Sequence, residues 1–107
     1  MRLSEPAVFL REPGGTRLAV LPPGTRISTA RTRGDWVQIT LEGWIWARST
    51  TRTTRDGFDL LVSAGKGENL RATPDGTVLA RLEEGALLNR LRERGGWIQV
   101  RRTGWVA

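Results

Sequence analysis

The sequence predicts an all-β protein built as two small five-stranded barrels in tandem, and three observations carry that prediction. First, Gly34 to Ile45, Gly-Asp-Trp-Val-Gln-Ile-Thr-Leu-Glu-Gly-Trp-Ile, returns 61 residues later as Gly95 to Val106, Gly-Gly-Trp-Ile-Gln-Val-Arg-Arg-Thr-Gly-Trp-Val, with five identities in twelve positions. Second, the register extends back without a gap to Pro13/Pro74, making fourteen identities in thirty-four positions; after one skipped residue, Leu10-Arg11 aligns with Leu70-Arg71, and more loosely Leu3-Ser4 with Val62-Ser63. Third, short aliphatic or alternating runs bounded by Gly, Pro or charged turns recur every eight to twelve residues, with almost no helical periodicity. The expected units are residues 1–47 and 58–107, each near the lower size limit for independent folding, joined by a linker at 48–57.

In order, the first copy predicts strands at Leu3 to Ser4, Val8 to Arg11, Arg17 to Leu21, Arg26 to Arg31 and Trp36 to Thr40, with a short return at Trp44 to Ala47; the second repeats them from Leu60. Pro22-Pro23-Gly24 and its counterpart Glu83-Glu84-Gly85 read as turns with glycine at the second central position, where a type II turn needs φ > 0. Thr40 to Gly43 and Arg101 to Gly104 read as tight hairpin turns ending in a left-handed glycine. Period-two alternation sends Val37, Ile39, Ile45, Ile98, Val100 and Val106 into the core, and Trp36, Gln38, Trp44, Trp97, Gln99 and Trp105 outward. Residues 48–57, with no aliphatic or aromatic side chain and three arginines, read as a basic connection.

Composition closes off most chemistry. There is no cysteine and no histidine, so a disulfide framework, a thiolate metal site and a His-dependent nucleophile all lack their residues, and no metal or cofactor is expected. Lys66 is the lone lysine available as a base for Ser or Thr; Glu83-Glu84 and Asp56 with Asp59 sit at turns; Gly65-Lys66-Gly67 lacks the spacing and the following Ser or Thr of a phosphate loop. The expectation is a protein that is not an enzyme. The net charge of +6 is spread evenly over both copies and the linker, favouring anionic partners without a basic tail to focus them. No secretory leader and no apolar run of membrane-spanning length are present. A cytoplasmic protein starting at Met1 and a piece of a longer exported protein are both compatible with that, and the abrupt stop after Trp105-Val106-Ala107 favours the piece.

The tryptophans are the leading site candidates. A strand, a glycine turn and a returning strand would bring Trp36 beside Trp44, and Trp97 beside Trp105, as a pair of outward rings on each barrel. Gln38 and Gln99 lie on the same faces as these pairs, Arg31 and Arg92 edge them, and Arg90, Arg92 and Arg94 form a basic row. The other role open to such rings is to pin a loop on the sheet. Trp46 and Phe58 flank the linker and are expected to pack the two barrels together, largely buried.

The second copy, with Asn69-Leu70-Arg71-Ala72-Thr73-Pro74, Leu82 to Gly85, Gly96-Trp97-Ile98-Gln99-Val100 and Gly104-Trp105-Val106, resembles the bacterial SH3 (SH3b-like) domain; the first copy follows the pattern with Phe9-Leu10-Arg11-Glu12-Pro13, one residue shorter. The resemblance implies five-stranded barrels used as non-catalytic binding or spacing modules in bacterial envelope proteins, and hence a periplasmic or extracellular site within a longer protein. Eukaryotic members bind polyproline on a tyrosine-rich face, and this chain has no tyrosine with which to build one. Three functions follow: recognition of a cell-wall glycan or peptide, which leads; docking by protein–protein contacts in a larger assembly; and non-specific binding of nucleic acid or another anionic polymer.

Overall fold

The computed structural model describes residues 3–107, so Met1 and Arg2 of the expected unit 1–47 lie outside the described residues. Ten strands follow one another: β1 (Ala7–Leu10), β2 (Arg17–Leu21), β3 (Ser28–Arg33), β4 (Trp36–Trp46), β5 (Thr50–Arg52), β6 (Leu60–Val62), β7 (Glu68–Arg71), β8 (Val78–Leu82), β9 (Leu87–Arg94) and β10 (Trp97–Val106). Single 3-10 turns occupy Ala47–Ser49 and Arg55–Gly57. The stretch expected to be a plain linker is therefore partly structured, and β5 within it pairs with β6 from Thr50↔Val62 to Arg52↔Leu60.

All ten strands belong to one sheet, ordered β3-β4-β7-β8-β2-β1-β10-β9-β6-β5, and a further β4–β10 pairing closes six of them into a ring. The ring takes β1, β2 and β4 from the first copy and β7, β8 and β10 from the second. Neither copy closes a barrel on itself, whereas the sequence predicts one barrel per copy. Instead the hairpin β1–β2 pairs with β10 (Leu10↔Trp105) and the hairpin β7–β8 pairs with β4 (Trp44↔Arg71), so each copy's opening hairpin seats on the other's last strand.

The cause is local, at Gly43 and Gly104. Neither takes the positive φ that a hairpin turn would need, and β4 and β10 run straight through them. What glycine supplies is room: a Cβ on Gly43 would lie 2.5 Å from the Arg71 carbonyl oxygen and 3.1 Å from Leu70 Cγ, and one on Gly104 would lie 2.5 Å from Phe9 Cζ and 2.6 Å from the Leu10 carbonyl oxygen. The crossing hairpin rests directly on the strand at each glycine.

β4 and β10 pair along their whole length, from Trp97↔Trp46 to Val106↔Val37. In this ladder Leu41 faces Arg102, its own counterpart in the repeat, and in the β2–β8 ladder Val20 faces its counterpart Arg81. Repeat-equivalent residues meet each other only on a two-fold axis, so the copies are related by a pseudo-dyad through these two pairs. The core follows the alternation: Ile39, Ile45, Ile98, Val100 and Val106 pack with Phe9, Leu21, Leu70, Leu82, Val62 and Leu88 in one buried cluster. The turn glycines Gly24 and Gly85 have φ of 87° and 88°, and the backbone bonds Thr25 N–H to Pro22 O and Ala86 N–H to Glu83 O close those turns as expected. The looser match of Leu3 to Val62 is also structural: Leu3 exchanges bonds with Gly24 and Thr25 as Val62 does with Gly85 and Ala86.

Candidate ligand-binding face

Because β4 and β10 are continuous and in full register, alternation places every second residue of both on the outer face of one two-stranded ribbon. Read across, the rows are Trp46 with Trp97, Trp44 with Gln99, Glu42 with Arg101, Thr40 with Thr103 and Gln38 with Trp105, and Trp36 stands one row beyond the last pair. All five tryptophans of the chain thus share this face. The middle of the strip is closed by polar links across the pseudo-dyad: the Thr40 and Thr103 hydroxyls are 3.0 Å apart, and Arg101 Nε and Nη2 donate to Glu42 Oε2 at 3.1 and 2.8 Å.

The expected site residues are redistributed. Trp36 and Trp44 lie eight residues apart on one strand, roughly 26 Å, rather than side by side across a hairpin; the same holds for Trp97 and Trp105. The partners that do assemble come from both copies. Trp44 stands opposite Gln99, and Arg92 stands 5.4 Å over the Trp44 ring while its Nε donates to Gln99 Oε1 at 2.8 Å. In the dyad-related place Trp105 stands opposite Gln38, Gln38 pairs with Arg31 of β3, and it is Arg33 that covers the Trp105 ring, at 5.2 Å. The expected ring pairs do not form; instead one ring, one amide and one arginine meet at each place, with the ring exchanged between copies and with Arg33, not Arg31, over Trp105.

Exposure separates the rings into two kinds. Trp44 and Trp105 are only 5% and 8% exposed, in contrast to the open rings expected, and an arginine stands over each of them. Trp36 and Trp97 are half-buried, and Trp46, expected to be buried between barrels, is 36% exposed at the end of the strip. It meets Trp97 edge to face, with centroids 5.2 Å apart at 63°. These two rings, with Glu68, Arg71, Asp75 and Gly95, line an open groove of about 490 Å³. Glu68 is anchored there: Ser49 Oγ donates to Oε1 at 2.5 Å and the Asn69 N–H donates to Oε2 at 2.8 Å. Arg71 Nη1 is tethered to the Gly76 carbonyl at 3.0 Å. Of the basic row, Arg90 is paired with Glu93 at 2.8 Å, and a bulge opposite Gln99 and Val100 breaks the alternation between Arg90 and Arg92.

Arg102 was not among the candidates, because Arg101 to Gly104 reads as a turn; with β10 running straight, its parity with Ile98 and Val100 places it inward. It is 6% exposed; its Nη1 donates to the Leu87 carbonyl at 2.9 Å, its Nε to the Thr103 carbonyl at 3.1 Å, and its guanidinium lies 4.2 Å from the Phe58 ring centroid. Burial lowers its pKa from the ordinary arginine value, the nearby charge of Arg11 adds to that, and Asp56 opposes it. Phe58 thus does sit at the junction of the copies, half-buried, but on a guanidinium rather than on Trp46. Arg11 of the first copy reaches Asp56 at 3.3 Å from the same side.

Residues 64–107 match the family model described as bacterial SH3 domain, a stretch that holds β7, β8, β9 and β10. Searches of curated proteins and of solved structures gave no match. The closed six-stranded barrel with its flanking strands is consistent with an SH3-like architecture, and the match lies in the second copy of the repeat.

Proposed function

We propose that the protein is a non-catalytic binding module whose tryptophan face takes a linear cell-wall polymer, glycan or peptide, on the periplasmic or extracellular side of a bacterial envelope, within a longer protein. The observation that carries this reading is the placement of the three accessible rings on one outer face of the β4–β10 ribbon, Trp46 and Trp97 forming an open groove at one end and Trp36 standing at the other. Flat apolar rings bearing an indole N–H suit sugar rings and extended peptide, and an extended strip suits an extended ligand. The bacterial SH3 match supports a binding role. Docking on a partner protein would use the same rings.

The test is retention on purified cell wall. Trp97→Ala should abolish retention while costing less stability than Ile98→Ala in the core beneath it. Equal retention of the parent and Trp97→Ala would move the binding face elsewhere. A second reading, a nucleic acid or other anionic polymer, is favoured by one observation: among the described residues Arg31, Arg33, Arg92 and Arg94 flank the face without an ion pair. Such binding would be independent of base sequence and would collapse with added salt.

A further inference from the structure

We infer that the Trp46–Trp97 groove is a subsite for a primary ammonium group, of the kind a lysine-like side chain carries. This rests on the tryptophan face being the binding surface, and it names what one end of that face selects. The groove brings together two indole rings and two carboxylates, those of Glu68 and Asp75. Indole faces attract cations through their quadrupole, and a carboxylate beside them supplies the hydrogen-bond acceptor that an ammonium needs on leaving water. The lining's one cation, Arg71, is turned to the Gly76 carbonyl. The chain as a whole carries +6, yet here the two acids outnumber the single base, so the groove is the place on the face suited to a positive group.

The pseudo-dyad supplies a second line of argument. The ring, amide and arginine trio is duplicated across the dyad; this groove is not. Trp97 has a counterpart in Trp36 and Gly95 in Gly34, but Trp46 corresponds to Ala107 and Asp75 to Gly14, and the strand registers place Glu68 and Arg71 where the first copy has Ala7 and Leu10. The second ring and both carboxylates are present at one end of the strip only. Gly14 and Asp75 share a left-handed backbone, with φ of 73° and 59°, so the aspartate stands where its counterpart is a glycine free to adopt that conformation. Glu68 is held by two hydrogen bonds, which spares a ligand the cost of ordering it. Across the groove Gly96 leaves the space the Trp46 ring occupies: a Cβ there would come within 3.2 Å of that ring.

The experiment titrates the intact chain with Nα-acetyl-lysine methylamide, whose backbone is neutral, and follows the indole N–H resonances of all five tryptophans. A saturable shift at Trp46 and Trp97, absent with the Nε-acetylated analogue, is expected. The double variant Glu68→Gln with Asp75→Asn keeps both rings and should bind the probe roughly two- to tenfold more weakly, the range for losing two exposed ion pairs. The single variant Asp75→Asn keeps a side chain that tolerates the left-handed backbone and should show a smaller loss in the same direction. Equal shifts with the acetylated analogue, or no shift at Trp46 and Trp97 with the ammonium probe, would overturn the inference. Wall retention separates the two levels of the argument: a double variant held by wall as tightly as the parent, with Trp97→Ala lost, leaves the binding face standing and removes the ammonium subsite.

Discussion

Arg102 sets the question of what a buried charge does at the centre of a small protein. It occupies an inward position opposite Leu41, it is satisfied by two carbonyls rather than by a carboxylate, and Phe58 covers its face. Removing such a group unevenly is costly, whereas replacing it by an apolar side chain of similar length often is not. Arg102→Ala should therefore destabilise the fold by about 1–3 kcal/mol, since it strips Phe58 of its cover and leaves the Leu87 carbonyl unmet. Arg102→Met should lie within about 1.5 kcal/mol of the parent or above it. Denaturant melts of the two variants decide this, and a methionine variant as weak as the alanine one would mean that the guanidinium itself is required. The role of this residue was not legible in the sequence, where Arg101 to Gly104 reads as a turn; even on the straight strand, alternation tells which way a side chain points but not what waits there.

Among the elements, much of the fold could be read from the chain and one decisive feature could not. The strands β2 and β4 begin where the aliphatic runs begin, the turn glycines at 24 and 85 have the predicted positive φ, and the aliphatic residues of β4 and β10 are inward. The reading failed at Gly43 and Gly104, where glycine in a polar stretch looked like a turn. Sequence alone does not distinguish a glycine that bends the backbone from one that lets another backbone pass, because both need the missing Cβ. The same failure moved the site: with the turn absent, Trp36 and Trp44 separate, and Trp44 finds Gln99 and Arg92 of the other copy instead. Gly104→Ala is the direct check. Its Cβ would collide with Phe9 and the Leu10 carbonyl, so we expect a loss of about 1–3 kcal/mol in thermal or denaturant unfolding, and a similar loss for Gly43→Ala. Unchanged stability in both would show that the hairpins do not rest on these glycines.

At the scale of the whole molecule, the exchange of hairpins makes the two copies interdependent, since each contributes three of the six strands in the ring. Fragments 1–57 and 58–107 should each lack cooperative unfolding alone and regain it when mixed in equal amounts, as followed by circular dichroism and by one joint melt. A fragment that melts cooperatively by itself would mean that a copy can close its own barrel. The pseudo-dyad carries a further implication, for ancestry. In a symmetric dimer of one repeat, the residue on the axis must face itself, and every choice there is made twice. Joining two repeats in one chain lifts that constraint, and here it has been used: the axis holds Leu41 against Arg102 and Val20 against Arg81. A chain carrying the first repeat twice would close the axis with leucine on leucine and valine on valine. One carrying the second twice would set arginine opposite arginine at the buried position of Arg102, two desolvated cations with no carboxylate between them, a cost that the Leu41–Arg102 pairing avoids.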